Sequence, residues 1–303
     1  MSYFLGIDGG GTKTSCAVGD ETRVLAMATD GPSNIVRVGE EQTRESLRRA
    51  VLQACAAAGI APEEVKRTCV GGSGAARPEL AEIVRRILAE VLKTPIDVVG
   101  DMQIALEAAF DMGPGVIVIA GTGSIAYGRD RDGKTARAGG WGFEIGDEGS
   151  AHWIGREVVR TVLRESDRSP KGLEESSLVK GLYKTWGVGS FLDLARAANS
   201  VPPADFAALF PAVVDSHHEI GRQVLWEAGR ELAQVAFAVI QQLFAKEETS
   251  VPVAMIGGVF RHAEIVRQVF YNELRKMDPR AQVNPIVVDP VEGALRIARR
   301  VGV

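Results

Sequence analysis

Two glycine- and threonine-rich stretches decide the fold: Asp8-Gly9-Gly10-Gly11-Thr12-Lys13-Thr14 and Gly121-Thr122-Gly123-Ser124. Each stretch interrupts a run of β-type residues that resumes directly after it. The flanking runs are residues 3–8 and 14–18 for the first stretch, and 116–120 and 125–129 for the second. We therefore predict two strand–turn–strand hairpins.

The backbone chemistry of such turns suits an anion. Glycine has no Cβ atom, so consecutive glycines allow positive φ and let several N–H groups converge on one ligand, while a threonine hydroxyl adds a donor. Neither the Walker loop nor the dinucleotide fingerprint occurs in this sequence, and both of those patterns lead into a helix. The two hairpin turns therefore predict a pair of binding loops for a polyphosphate.

Size and composition limit the function classes. A chain of 303 residues suggests two domains, and a net charge of −4 argues against nucleic acid as the main partner. No apolar run reaches the roughly 20 residues of a membrane span, and the start of the sequence lacks a signal-peptide pattern. With no apolar span, we expect no membrane partner. The three cysteines, Cys16, Cys55 and Cys69, form no C-x-x-C pair, so we expect the protein to be located in the reducing cytoplasm.

Hydrophobic periodicity predicts alternating strands and helices. The predicted strands cover residues 3–8, 14–18, 24–29, 67–70, 96–99, 116–120, 125–129, 135–138 and 253–256. The predicted helices cover residues 41–58, 78–92, 102–110, 152–164, 173–186, 191–199, 219–244, 263–277 and 291–300. The opening with three strands recurs after about 110 residues, which indicates two similar domains. We expect an α/β fold with residues 1–112 as one domain and 113–289 as the other. We also expect a C-terminal helix within 290–303 to join the first domain, although periodicity alone does not show this.

Further motifs follow the two turns in a fixed order. They are Gly100-Asp101, Gly139-Gly140-Trp141-Gly142, Gly146-Asp147-Glu148-Gly149-Ser150 and Gly257-Gly258. Over nearly the whole chain, this set resembles the N-acetylglucosamine kinase branch of the BadF/BadG/BcrA/BcrD ATPase family, within the actin/hexokinase/Hsp70 superfamily. The resemblance implies two ribonuclease-H-like domains with mixed sheets flanking an ATP cleft, ATP with Mg²⁺ as phosphoryl donor, and a small amino sugar as acceptor.

The resemblance also implies a role for each motif residue. Asp101 would be the catalytic base, and Asp8 would hold Mg²⁺ through water. The expected ATP-binding residues are Gly10, Gly11, Thr12, Lys13, Thr122, Gly123, Gly257 and Gly258. The expected acceptor-binding residues are Asn34, Ser73, Gly74, Asp101, Thr122, Gly140, Trp141, Gly142 and Asp147. Relatives are often dimers, so we also expect a possible homodimer.

Several of these residues have a plain structural alternative. Asp101 could be the N-cap of the helix at 102–110, because aspartate is a favoured cap. Asp8 and Asn34 could simply form turns. A single Trp141 among glycines could pack in the interior, although an aromatic face also suits the C–H side of a sugar. Ser150 could be the N-cap of the next helix.

The sequence leaves the identity of the acceptor sugar open. Ile125 stands where the N-acetylglucosamine kinases have an asparagine that touches the sugar, and a site built for such hydrogen bonds discriminates strongly when a partner is lost. N-acetylglucosamine, glucosamine and N-acetylmuramic acid kinases share the same core motifs.

Two other functions also remain open. An activator-type ATPase would need cysteines that bind an iron–sulfur cluster. A sugar sensor or filament protein would need neither the acid nor the phosphate motifs.

Overall fold

The structure is a computed structural model that describes residues 2–72, 77–202, 204–246 and 249–300. The chain divides into two compact units. Unit 1 comprises the residues up to Gly113 together with those from Val288 onward, and unit 2 is Pro114–Val287.

Strands and helices alternate along the described residues. The strands are β1 Tyr3–Gly9, β2 Thr14–Gly19, β3 Val24–Asp30, β4 Val65–Gly72, β5 Ile96–Gly100, β6 Gly115–Ala120, β7 Ser124–Arg129, β8 Thr135–Gly139, β9 Val251–Ile256 and β10 Ala281–Val288. The helices are α1 Ile35–Ala58, α2 Pro78–Ala89, α3 Asp101–Phe110, α4 Ala151–Ser166, α5 Pro170–Glu174, α6 Ser177–Trp186, α7 Phe191–Ala198, α8 Phe210–Ser216, α9 Glu219–Phe244, α10 Gly258–His262, α11 Glu264–Met277 and α12 Pro290–Arg299. Short 3₁₀ turns lie at Pro62–Glu64 and Phe206–Leu209.

Each unit contains one mixed sheet, and the two sheets have the same plan. The sheet of unit 1 has the order β3-β2-β1-β4-β5, with β1 antiparallel to β2 and parallel to β4. The sheet of unit 2 has the order β10-β9-β6-β7-β8, with β6 antiparallel to β7 and parallel to β9. Both predicted hairpins are therefore confirmed, as is the α/β class with mixed sheets.

Helices cover both faces of the unit 1 sheet. Leu5 and Ile7 of β1 are buried against α1 and α2, while Phe4 faces the side covered by α3 and α12. Helix α12 approaches so closely that a Cβ atom at Gly6 would lie 2.7 Å from the carbonyl oxygen of Val291. This contact fixes the N-terminal end of α12 against the middle of β1.

The core of unit 2 is built around α9. This 26-residue helix buries a long stripe of small and aliphatic side chains against the sheet and against α4 and α11. Its Val239 and Leu243 lie against Gly128 of β7, where a Cβ atom would meet Val239 Cγ1 at 2.8 Å.

The structure corrects three sequence predictions. The helix predicted over residues 173–186 is two helices, α5 and α6, because Ser176 caps α6 by accepting a hydrogen bond from Val179 N. Helix α1 begins at Ile35 rather than at residue 41, with a kink at Gly39, where φ is 77°. The sequence pattern does not predict strand β10, since Pro285 interrupts it, and proline is tolerated there because β10 is an edge strand.

Membrane insertion of a helix finds no support in the described residues. None of their helices combines the length and the apolar character that a bilayer crossing requires.

Candidate active site

The first glycine-rich turn closes the hairpin of β1 and β2. Gly9 and Thr14 form the last strand pair, and Gly10 N donates to the carbonyl oxygen of Lys13 at 3.0 Å. Thr12 and Lys13 are exposed. The turn therefore presents backbone and a lysine side chain to solvent, as an anion site requires.

A second loop of unit 1 is tied to the back of this turn. The carbonyl oxygen of Gly10 accepts hydrogen bonds from Ser33 N at 3.1 Å and from Asn34 N at 3.2 Å. Thr14 Oγ1 lies 2.7 Å from both Gly31 O and Ser33 Oγ. Asn34 also caps α1, since its Oδ1 accepts from Val36 N at 3.1 Å. The fold thus brings Asn34, predicted as an acceptor residue, to the first turn.

The two predicted acids of unit 1 lie at one edge of its sheet. Strands β1, β4 and β5 are parallel neighbours, and in their register Gly9 pairs with Gly72, which pairs with Gly100. Asp8 is level with Val99, two residues before Asp101, so the two backbones are separated by two strand spacings across the sheet and two residues along it, roughly 12 Å. The carboxyl ends of parallel strands are the usual ligand edge of an open α/β sheet.

The carboxyl group of Asp8 is electrostatically unusual. Burial, followed by repulsion from Asp289 and Asp101, raises the pKa of Asp8 to about 7, while Lys13 opposes the rise. Asp289 was not predicted as a site residue. It caps α12 by accepting from Val291 N at 3.3 Å, and the Asp-Pro pair that starts the helix is the signal that could have drawn attention to it.

Asp101 is the first residue of α3 rather than its N-cap, which is Gly100. Its Oδ1 nevertheless accepts a hydrogen bond from Met102 N at 2.9 Å. The N-cap is therefore one residue earlier than the sequence suggested. The Asp101 carboxyl group is held at the start of α3, beside the carboxyl ends of the parallel strands.

The turn between β6 and β7 forms the corresponding feature of unit 2. Gly121 N donates to Gly123 O at 2.9 Å, and the carbonyl oxygen of Gly121 accepts from Ala151 N at 2.8 Å. Ser124 Oγ donates to Glu148 O at 2.7 Å. Ser150 is the N-cap of α4, as one interpretation of the sequence predicted, and its Oγ accepts a hydrogen bond from Trp153 N. The first turn of α4 therefore holds the second glycine-rich turn in place.

Asp147 is fixed against this second turn. Its backbone is in the left-handed region with φ of 58°, and its carboxyl group accepts hydrogen bonds from the backbone of Ser124 and Gly142. A Cβ atom at Gly123 would lie 2.7 Å from Asp147 Oδ2. Burial raises the pKa of Asp147, and Glu148 adds to the rise.

The glycine-rich segment after β8 exposes an aromatic ring. Gly140 and Gly142 have φ values of 68° and 94°, and the Trp141 between them is 67% exposed. The guanidinium of Arg137 lies 4.5 Å from the centroid of the Trp141 ring. Ile125 packs against this segment, since a Cβ atom at Gly140 would meet its Cδ1 at 2.7 Å. The alternative interpretation, in which Trp141 packs in the interior, is therefore wrong.

The last predicted motif also lies near the second turn. Strands β6 and β9 are parallel, with Ile119 paired to Ile256, so their carboxyl ends are adjacent. Gly257 has φ of 104°, and a Cβ atom there would lie 2.7 Å from the carbonyl carbon of Ala120. Only a glycine allows this close approach, which brings Gly257 and Gly258 beside the start of the turn.

Each unit thus gathers its own share of the predicted residues. Unit 1 brings together Asp8, Gly10, Gly11, Thr12, Lys13, Asn34 and Asp101. Unit 2 brings together Thr122, Gly123, Gly140, Trp141, Gly142, Asp147, Gly257 and Gly258. Ser73 and Gly74 lie outside the described residues.

The described residues contain no group of three or more acidic, histidine or cysteine side chains arranged to hold a metal ion. A divalent cation at Asp8 would therefore need phosphate oxygens and water as further ligands.

Comparisons with known proteins agree with this geometry. The family described as the BadF/BadG/BcrA/BcrD ATPase family matches residues 5–298. The chain is 32% identical to the N-acetylmuramic acid/N-acetylglucosamine kinase of Clostridium acetobutylicum, over 99% of both chains. It is 30% identical to the N-acetyl-D-glucosamine kinase of Dictyostelium discoideum, over 97% of both chains.

A solved structure supports the same fold. A Chromobacterium violaceum protein assigned as an N-acetylglucosamine kinase superposes with a TM-score of 0.76 and 25% identity, covering 98% of this chain and 99% of that one. The fold class and the resemblance drawn from the motifs are confirmed.

Proposed function

Because the chain belongs to the BadF/BadG/BcrA/BcrD ATPase family, we propose that it is an ATP-dependent kinase that phosphorylates a hydroxyl of an amino sugar. The acceptor class is N-acetylglucosamine, glucosamine or N-acetylmuramic acid. The single observation that carries the proposal is the convergence of Asp8, the first glycine-rich turn and Asp101 at one edge of the unit 1 sheet. The names of the two relatives that match almost the whole chain support the amino sugar as acceptor.

Asp101 is the proposed general base. A sugar hydroxyl has a high pKa and must lose its proton as the phosphoryl group arrives, so a carboxylate within hydrogen-bond reach is the natural acceptor. The location of Asp101 directly after β5 and at the start of α3 supports this role, because α3 and its contacts hold the carboxyl group in one place.

Both glycine-rich turns are proposed to bind phosphate oxygens. In unit 1, Gly10 to Lys13 are proposed to line the phosphates. The donors are the backbone N–H groups of Gly11 to Lys13, the Thr12 hydroxyl and the Lys13 ammonium, since Gly10 N donates to the carbonyl oxygen of Lys13 within the turn. In unit 2 they are Thr122 and Gly123, while Gly257 and Gly258 give the adenosine access to backbone. The close contact of Gly257 with Ala120 supports this assignment, since it leaves no side chain above the strand end.

Asp8 is proposed to hold Mg²⁺, through water. The charge around it fits a divalent cation, because the carboxylates of Asp289 and Asp101 both raise the pKa of Asp8, while Lys13 opposes the rise. When bound, Mg²⁺ would neutralise phosphate charge and so assist phosphoryl transfer. Asp8 itself would hold water molecules of the ion's hydration shell.

Asn34 is a proposed acceptor-binding residue among the described residues of unit 1. In unit 2 the proposed acceptor-binding residues are Thr122, Gly140, Trp141, Gly142 and Asp147. The half-buried carboxyl group of Asp147 is held by the backbone of Ser124 and Gly142, and its remaining lone pairs support further hydrogen bonds from sugar hydroxyls. The exposed ring of Trp141 offers an apolar face for the C–H side of a sugar. Ser73 and Gly74 remain proposed acceptor residues.

An activator-type ATPase is the second candidate that the family allows. Such a protein would bind an iron–sulfur cluster through cysteines, but Cys16, Cys55 and Cys69 are all buried among core side chains. We therefore favour the kinase. We also propose a cytoplasmic location and a homodimer, in keeping with the sequence expectations.

ADP release with and without sugars separates these functions. The purified protein is incubated with ATP and Mg²⁺ alone, or with N-acetylglucosamine, glucosamine or N-acetylmuramic acid. A kinase releases ADP only when its acceptor is present, and the phosphorylated sugar is identified by mass spectrometry. ADP release that is equally fast without any sugar would contradict the proposal and favour the acceptor-independent ATPase.

A further inference from the structure

A charged side chain that the sequence analysis did not single out lies beside the first glycine-rich turn. A Cβ atom placed on Gly11 would be 3.5 Å from Nη1 of Arg37 and 3.8 Å from its Cδ. Arg37 is exposed to solvent. Its guanidinium therefore lies next to the middle of the turn, on the side where Gly11 has no side chain.

The backbone that carries Arg37 is fixed to the same turn. Arg37 N and Val38 N both donate to the carbonyl oxygen of Asn34, at 2.9 and 3.0 Å. Asn34 N in turn donates to the carbonyl oxygen of Gly10. The kink at Gly39 separates this short helical segment from the rest of α1. Arg37 is thus positioned by hydrogen bonds to the turn rather than by the long helix that follows it.

The chemistry of this arrangement favours an anionic ligand. Lys13 and Arg37 supply two cations to the turn, and Gly11 has no side chain to block the approach of a ligand. A guanidinium offers a planar pair of donors that matches two oxygens of a phosphate or a carboxylate, whereas an ammonium acts as a point charge. The two side chains therefore differ in the geometry of recognition that they provide.

We propose that Arg37 is a ligand-binding residue of the first glycine-rich turn, where its guanidinium holds an oxyanion over Gly11. The oxyanion belongs either to the phosphates of the nucleotide or to the carboxylate of an acidic sugar acceptor. The identity of the ligand rests on the proposed function, but the presence of an oxyanion site does not.

The test uses the full chain and two readouts. Binding of ADP and of the non-hydrolysable analogue AMP-PNP is titrated calorimetrically, with Mg²⁺ and without sugar, for the wild type, Arg37→Ala and Arg37→Lys. Arg48→Ala is the matched control, since Arg48 is an exposed arginine of α1 that lies eleven residues further along the sequence, beyond the kink at Gly39. The acceptor KM is then measured with neutral N-acetylglucosamine and with N-acetylmuramic acid, which carries a carboxylate.

A nucleotide phosphate as the ligand predicts that Arg37→Ala weakens AMP-PNP binding by about 10-fold or more, with a smaller loss for Arg37→Lys. A carboxylate as the ligand predicts unchanged nucleotide binding and an N-acetylmuramic acid KM raised by about 10-fold, while the N-acetylglucosamine KM stays constant. If Arg37→Ala matches Arg48→Ala in both readouts, the proposal is wrong. A wild-type protein without kinase activity would refute the proposed function, but the nucleotide titration would still decide the role of Arg37.

Discussion

Replacing Asp8 by asparagine tests the electrostatics of the first glycine-rich turn. The pKa of the Asp8 carboxyl is about 7 in the folded protein, against 3.8 for an ordinary aspartate. Between these two values the folded state binds more protons than the unfolded state. The stability that protonated Asp8 provides is fully present below about pH 3.8 and is lost as the pH rises through 7. An asparagine side chain at this position stays neutral at every pH, so the Asp8→Asn variant does not lose this stability as the pH rises.

The size of the effect follows from the shift. A difference of about three pKa units corresponds to about 4 kcal/mol when it is fully realised. Because Asp8 is partly exposed, solvent screens part of this energy, and we expect about 1–2 kcal/mol at pH 8. The midpoint of thermal unfolding should then rise by roughly 2–8 °C.

Thermal unfolding between pH 5 and pH 8, in the absence of nucleotide and Mg²⁺, measures this prediction. Asp8→Asn should be more stable than the wild type at pH 8, and the difference should shrink towards pH 5. Asp20→Asn is the control of opposite sign, because backbone N–H groups of Arg23 and Thr22 lower the pKa of Asp20 and stabilise its charged form. A variant that is less stable than the wild type at pH 8, or a difference independent of pH, would refute the reasoning.

Three further substitutions test packing and the acceptor residues. Gly293→Ala should destabilise the protein by about 1–3 kcal/mol or prevent folding, because the new Cβ atom would collide with the backbone of α3. A variant as thermally stable as the wild type would exclude this contact. Gly123→Ala should displace the Asp147 carboxyl group and raise the acceptor KM by about 10-fold, and it should also weaken nucleotide binding because Gly123 is a proposed phosphate-binding residue. An unchanged acceptor KM would argue against Asp147 as an acceptor residue. Trp141→Ala should raise the acceptor KM but change the free energy of unfolding by less than about 0.5 kcal/mol. Trp226→Ala, which removes another exposed ring stacked on an arginine, should leave the acceptor KM unchanged. Equal KM values for the two variants would contradict a sugar contact at Trp141.

Local sequence signals predicted the parts of the fold that depend on local chemistry. The two hairpins follow from glycine-rich turns between β-type runs, and helix α9 follows from an uninterrupted apolar stripe. Gly59 ends α1 in the left-handed conformation, as a glycine after an apolar helix predicts. In each case the decisive residues are neighbours in sequence.

Features that depend on distant contacts were missed. Asp289 reaches the neighbourhood of Asp8 only because α12, far along the chain, packs on β1 through Gly6. Arg37 lies beside Gly11 because the backbone of Asn34 binds that of Gly10, which no periodicity reveals. Strand β10 pairs at an edge, where its proline is harmless. Sequence patterns identified motifs that each unit assembles, but not the side chains that tertiary contacts bring to them.

The measurement that most directly tests the central claim is the turnover of Asp101→Asn with the preferred sugar, alongside its affinity for AMP-PNP. We expect a loss of turnover of roughly 10²–10⁴-fold with nearly unchanged nucleotide affinity, because a general base contributes to the chemical step alone. Asp97→Asn, in strand β5 just before Asp101 and paired with Arg67, serves as the control and should keep its turnover. Wild-type turnover in Asp101→Asn would contradict the assignment of this carboxylate as the base.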